Sequence, residues 1–332
     1  MDQKNAHPLI SVALMTYNQE KYAKEALLSI LNQTYDNLEI IVSDDCSKDG
    51  TWGIITSEID LYRHNGGVHD NIILNKNESN LGVAKHFELI LSKCHGEYVV
   101  CQAGDDVSLP QRIEVIAEAF KGSPNATVAS HEAIGIDDTG NQIGTGVMRT
   151  SALLPLGAMM AYSRRVYDEF GPISESGAWE DDVYARRAQM IGDEVWIEKV
   201  LLKYRIGCGG ISSGGGDVKQ RRSMVATGCL AAARQSRRDV EQCRSKITAA
   251  KYAKVIQDID WYEKRYKAEY DMYNAPLWFS RLFSKFRVFN SSYRNASLLG
   301  WVNGFVTTML PGWVSKCLTP LVFVTKRIVR RH

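Results

Sequence analysis

The chain has 332 residues, 45% of them apolar and 23% charged, enough to bury a substantial core beneath a polar exterior, so one large domain with an appendage is expected. The net charge of +2 hides an asymmetry: residues 1–218 carry 18 basic and 31 acidic side chains, a balance of −13, whereas 219–332 carry 22 and 7, a balance of +15. A basic region of this kind suits nucleic acid, anionic lipid, an acidic partner or an ordinary solvated face, and charge alone does not choose among them. The seven cysteines are odd in number and scattered, with no C-x-x-C pair to suggest a zinc or dithiol motif, which fits reduced thiols in a cytosolic protein. The opening MDQKNAHPLI has no apolar stretch of signal-peptide length, so export is not expected.

In chain order, apolar runs alternate with helical periodicity through roughly the first 130 residues, the pattern of a parallel sheet covered by helices. Residues 9–15 predict a first strand, and Asn18 can cap a helix in which Tyr22, Ala26 and Ile30 share a face with Leu27 and Leu31. Residues 38–43, 71–75 and 97–103 predict three more strands, with helices near 51–59 and 83–93. Ligands gather at the carboxyl ends of the strands in such a sheet. There the chain places Thr16, Tyr17 and Asn18 after the first strand, Asp44 and Asp45 after the second, and Gly104, Asp105 and Asp106 after the fourth. Asp-rich runs such as SDDCSKDG also make turns and caps for purely structural reasons. That reading weakens when the same chemistry recurs at adjacent strand ends. No G-x-G-x-x-G or G-x-x-x-x-G-K-[ST] is present to supply a dinucleotide or P-loop explanation.

The run SVALMTYNQEKYAKEALLSILNQTYDNLEIIVSDDCSKDGT, followed by NLGVAKHFELILSKCHGEYVVCQAGDD, resembles the N-terminal half of inverting family 2 glycosyltransferases of bacterial surface-polysaccharide type. The resemblance implies an α/β, GT-A-like nucleotide-diphosphosugar transferase fold, with a mixed, mostly parallel sheet and a C-terminal helical region. It also implies that Thr16, Tyr17 and Asn18 line the nucleotide, that Asp44 bonds the base with Asp45 beside it, and that Gly104 and Asp105 contribute to the donor site. Asp105 and Asp106 match the end of the family's D-x-D element, which holds a divalent cation, Mg2+ or Mn2+, on the diphosphate. Ala103 stands where the first Asp of that element often lies, which implies fewer protein ligands.

The later segment GAMMAYSRRVYDEFGPISESGAWEDDVYARRAQMIG resembles the acceptor side of the same family. Inversion needs a carboxylate to take the acceptor's proton as the hydroxyl attacks. Glu180-Asp181 matches the family's E-D pair, which makes Asp181 the candidate base and Glu180 its support. Acids in a first helical turn also answer the helix dipole. In LLKYRIGCGGISSGGG, Gly207 and Cys208 stand where family members often carry a histidine, and the glycines that follow suit either a lid or a plain linker.

The domain boundary is expected at 216/217. Beyond it come a long polar helical stretch to about residue 273, an aromatic and basic segment at 276–289, and an uncharged stretch at 296–315 interrupted by glycine and proline. These predict a peripheral, cytosolic-face contact with an anionic membrane, or packing on the chain's own domain or on another subunit. The expected partners are a nucleotide-sugar donor and a glycan or lipid-linked acceptor, without nucleic acid. A nucleotidyltransferase lacks its glycine-rich basic loop here. A non-catalytic sugar-nucleotide or nucleic-acid binder leaves the acids at Asp105, Asp106 and Asp181 unexplained.

Overall fold

A computed structural model describes residues 7–207 and 218–274. The first half builds β1 (Ile10–Thr16), α1 (Ala23–Leu31), β2 (Leu38–Asp44), α2 (Thr51–His64), β3 (Ile72–Lys76), α3 (Val83–Lys93), β4 (Tyr98–Ala103), the short β5 (Val107–Ser108) and α4 (Arg112–Gly122). It continues through β6 (Ala126–Ile136), β7 (Gln142–Met148), a 3-10 turn at Gly157–Met159, β8 (Met160–Ser163), α5 (Arg165–Phe170), α6 (Glu180–Ile191) and β9 (Asp193–Arg205). Two long helices follow, α7 (Val218–Gln242) and α8 (Ala249–Asn274).

The strands form a single mixed sheet in the order β3-β2-β1-β4-β8-β6-β9-β5, with β7 added to β6. β3, β2, β1 and β4 run parallel, and β8 joins antiparallel to β4. Register fixes where the loops open: Thr16 pairs with Asp44, and Met15 with Ala103, so three strands end at one level. The loops carrying residues 17–19, 45–50 and 104–106 therefore leave the same edge.

These strands read as largely apolar runs because both faces of the sheet are covered. On one face Ile10, Val12, Leu14, Ile40 and Val42 pack against Leu27 and Ile30 of α1, Ile55 and Ile59 of α2, and Ile113, Ile116 and Phe120 of α4. On the other, Ala13, Ile41, Val99 and Tyr162 meet Phe87 and Ile90 of α3 and Tyr184, Ala185 and Ala188 of α6. α7 and α8 share a third core with α5 and α6, through Phe170, Met190, Cys229, Ala233, Val255, Ile259 and Tyr262. The buried pair Arg187–Asp239 (2.7 Å) locks α6 to α7, and removing one partner of such a pair costs about 3–5 kcal/mol.

Two local expectations change. Asn18 does not cap α1, which begins at Ala23 after Tyr22; it adopts a φ of +50°, and its Oδ1 accepts the Lys48 N–H at 2.8 Å, tying the first strand-end loop to the second. The long polar stretch is broken into two helices by a 3-10 turn at Arg244–Lys246. The segments at 276–289 and 296–315, the 216/217 boundary, Cys208 and the glycine run after Gly207 lie outside the described residues.

Candidate active site

At the end of β1, the Thr16 hydroxyl donates to Asp44 Oδ1 (3.1 Å), Tyr17 is 43% exposed, and the Asn18 N–H donates to Ser47 Oγ (2.8 Å). Asp44 is fully buried and also accepts from the Ser47 N–H (2.9 Å) and the Ser47 hydroxyl (2.5 Å). Its oxygens are thus spent within the loops, and it is not among the residues lining the cavity described below. Asp45 does line it, accepting from the Leu81 N–H (2.8 Å), the Gly82 N–H (3.0 Å) and the Asn77 amide (2.8 Å), so it fastens the start of α3 to the strand-end edge. His86, one turn into α3, is buried with Nε2 2.7 Å from Ser43 Oγ, and burial lowers its pKa.

The loop after β4 is held close to β1. A Cβ on Gly104 would lie 2.4 Å from Gln19 Oε1 and 2.6 Å from Thr16 Cγ2, so glycine there permits the approach. Asp106 is buried; its Oδ1 accepts the Arg205 N–H (2.8 Å), and its Oδ2 has no hydrogen-bond partner among the described residues. Burial, and secondarily the neighbouring Asp105 carboxylate, push the Asp106 carboxyl well above the usual range. Burial likewise raises Asp105. The Arg205 guanidinium clamps the loop from β9, donating to the Asp105 carbonyl (2.8 Å), the Asp137 carbonyl (2.8 Å) and Glu25 Oε2 (2.6 Å).

The second acid group opens α6, with Glu180, Asp181 and Asp182 in its first turn, where the helix dipole favours anions. Asp182, which also lines the cavity described below, pairs with the Arg186 guanidinium (3.3 Å) and accepts from the Cys229 thiol of α7 (3.6 Å). Asp181 Oδ1 accepts the Asp182 N–H (2.8 Å), while Glu180 Oε2 is buried without a hydrogen-bond partner among the described residues. Burial pushes Glu180 up to about 7. Burial, then the Glu180 and Asp182 charges, push Asp181 well above the usual range against the opposing Gly157 N–H. Trp179, just before the cluster, donates Nε1–H to the Val225 carbonyl of α7 (3.1 Å). A Cβ on Gly228 would lie 2.3 Å from that indole, so this glycine lets α7 close against the site.

Both acid groups open on one cavity of about 1920 Å³. Thr16, Tyr17, Asn18, Asp45, Asp105, Asp106, Glu180 and Asp181 line it, whereas Asp44 and Gly104 stand behind the wall. His86 and Arg205 also line it, and sequence reasoning does not single them out. The nearest sequence signals are a histidine one turn after the Gly82 break and an arginine ending an alternating strand. Among the described residues no group of three or more His, Cys, Asp or Glu side chains is gathered to hold a metal by itself. The raised carboxyls have a consequence for rate. A base must be ionised, and burial raises Asp181, so turnover should rise with pH above the ordinary carboxylate range, and Glu180→Gln should move that rise to lower pH by removing a charge that raises Asp181. A flat profile of turnover across that range would contradict this.

The mixed sheet, the strand-end carboxylates and the helical cover define an α/β nucleotide-sugar transferase fold of the GT-A type. Residues 11–171 match the family described as Glycosyl transferase family 2. It is similar to EpsE of Bacillus subtilis, provisionally named a glycosyltransferase, with 38% identity over 110 residues, 33% of this chain and 37% of that one. It is also similar to the abequosyltransferase RfbV of Salmonella typhimurium, with 31% identity over 131 residues, 39% of this chain and 38% of that one. The chain thus spans well under half the length of these curated relatives. Among solved structures, the mannosyltransferase PcManGT of Pyrobaculum calidifontis, in complex with GDP-Man and Mn2+, superposes with a TM-score of 0.61 at 15% identity, covering 97% of this chain and 86% of that one. S. aureus TarS 1–349 with UDP-GlcNAc gives 0.57 at 19% identity, covering 96% and 87%. At such identities the likeness concerns the fold.

Proposed function

We propose that the chain transfers a sugar from a nucleotide-diphosphosugar to a hydroxyl of a glycan or lipid-linked acceptor, with inversion, in surface-polysaccharide synthesis of the O-antigen or capsule kind. One observation carries the reading. Two carboxylate groups, each keeping a buried oxygen without a hydrogen-bond partner among the described residues, line one cavity. The named activity of RfbV supports the saccharide role, and the UDP-GlcNAc and GDP-Man complexes of the structural neighbours support the donor class.

On the donor side, Thr16, Tyr17, Asn18 and Asp45 line the nucleotide, with Asp44 bracing their loops. The residues present fit a divalent cation: Asp105 and Asp106 offer hard oxygen donors, and Asp106 Oδ2 has no other hydrogen-bond partner among the described residues. Ala103 would supply no ligand. Such an ion, Mg2+ or Mn2+, would neutralise charge on the departing diphosphate. On the acceptor side Asp181 takes the hydroxyl proton, and Glu180, its carboxyl pushed up to about 7 by burial, tunes it.

The test incubates the full chain with UDP- and GDP-sugars and a lipid-linked saccharide extract, and reads the anomeric configuration of the product by NMR. An inverted product is expected; a retained configuration, or no transfer from any donor, sinks the reading. The +15 balance of residues 219–332 further supports peripheral binding to an anionic membrane. No helix among the described residues is long and apolar enough to cross one. The full chain should float with anionic vesicles and a chain ending at Asn274 should not; equal behaviour would reassign the tail to a protein contact.

A further inference from the structure

Arg112 begins α4, yet it is fully buried. A guanidinium has five N–H donors, and here five acceptors meet them. Nε donates to His131 Nε2 (3.1 Å), Nη1 to Gln102 Oε1 (2.8 Å) and Ser108 Oγ (2.9 Å), and Nη2 to the carbonyls of Cys101 (3.0 Å) and Ala158 (2.6 Å). None of the five is a carboxylate. His131 can accept because burial and the Arg112 charge lower it to about 3, which keeps it neutral.

The partners sit behind both halves of the site. The Gln102 side chain that Arg112 grips donates its own amide to the carbonyls of Ala103 (3.0 Å) and Asp106 (2.8 Å), framing the loop that carries Asp105 and Asp106. Ala158 belongs to the Gly157–Met159 turn, and a Cβ on Gly157 would lie 3.4 Å from Asp181 Cβ, so this turn is the floor on which Asp181 rests. One planar fork therefore spans the two backbone segments that set the separation between the donor-side acids and the acceptor-side base.

We propose that Arg112 is a positioning residue that holds these two acid groups in register, acting through Gln102 on one side and the Ala158 carbonyl on the other. The inference rests on the glycosyl-transfer reading. Lysine keeps the charge but has three donors on one centre and cannot span the five acceptors. Arg112→Lys in the full chain should remain folded, as judged by circular dichroism. It should lose roughly 10²-fold in the turnover of donor hydrolysis, the scale expected when reacting groups shift by about an ångström. It should also weaken Mn2+-dependent binding of UDP or GDP. In an Asp181→Asn background the further loss in turnover should shrink to a few fold, because the base that Arg112 positions is already gone.

Ser108→Ala removes one acceptor and leaves the cation in place. It should cost several-fold in turnover without a matching fall in melting temperature, and it keeps the inference testable if Arg112→Lys fails to fold. A folded Arg112→Lys with wild-type turnover and nucleotide affinity, a penalty that adds in full to Asp181→Asn, or an unaffected Ser108→Ala would each overturn the assignment. Failure of the underlying reading is distinct: the wild-type chain itself would then bind neither nucleotide with Mn2+ and hydrolyse no donor.

Discussion

Asp181→Asn should lower turnover by roughly 10²-fold or more while leaving donor affinity nearly unchanged, the usual scale for loss of a general base. Asparagine preserves the shape and the acceptor for the Asp182 N–H, so α6 keeps its start, but it cannot take a proton. The sign of the stability effect separates this from misfolding. The folded-state pKa of Asp181 is raised, so its stabilising contribution is complete below its unfolded value and is lost as pH rises through the folded one. Above its unfolded value the carboxyl is therefore a cost, and the amide should hold the melting temperature level or raise it near neutral pH. A slow enzyme that melts no earlier is the expected result. Near-normal turnover would shift the role to Glu180, since Asp182 is committed to Arg186 and Cys229.

Asp106→Asn should remove the metal-dependent part of nucleotide binding, a loss of roughly 10–100-fold in affinity in calorimetric titrations of UDP and GDP with Mn2+. Titrations in EDTA should be little changed. The wild-type carboxylate has one oxygen tied to the Arg205 N–H and one with no hydrogen-bond partner among the described residues. An amide can keep the first contact, but it offers a hydrogen-bond donor where a cation requires an anionic oxygen. The two substitutions should thus separate cleanly, one acting on rate and the other on metal-dependent affinity. Wild-type Mn2+-dependent affinity in Asp106→Asn would remove this residue from the donor site.

Much of this arrangement is legible in the sequence because the parallel half of the sheet is buried on both faces. Its strands therefore appear as apolar runs ending in polar loops, and the acids at Asp105, Asp106, Glu180 and Asp181 fall where the runs or helices change. The choice between Asp44 and Asp45 is not legible. The two are adjacent, and only the loop geometry, which spends Asp44 on Ser47 and Thr16, decides which one reaches the cavity. Asn18 reads as a helix cap because its side chain suits one, but the contact it makes is 30 residues away in sequence. Arg112 is hidden for another reason. An arginine beside a helix start reads as solvated, since arginine is seldom fully buried, and its acceptors come from strands and turns far along the chain. The role of α7 as a cavity wall rests on the fit of Trp179 against Gly228, which no spacing rule anticipates.

The most direct measurement is release of nucleoside diphosphate from UDP- and GDP-sugars by the purified full chain, with Mn2+ and then with EDTA. The account predicts release from one donor class, abolished by EDTA and restored by Mn2+. Release that is indifferent to EDTA, or none from any donor with the metal present, would contradict it.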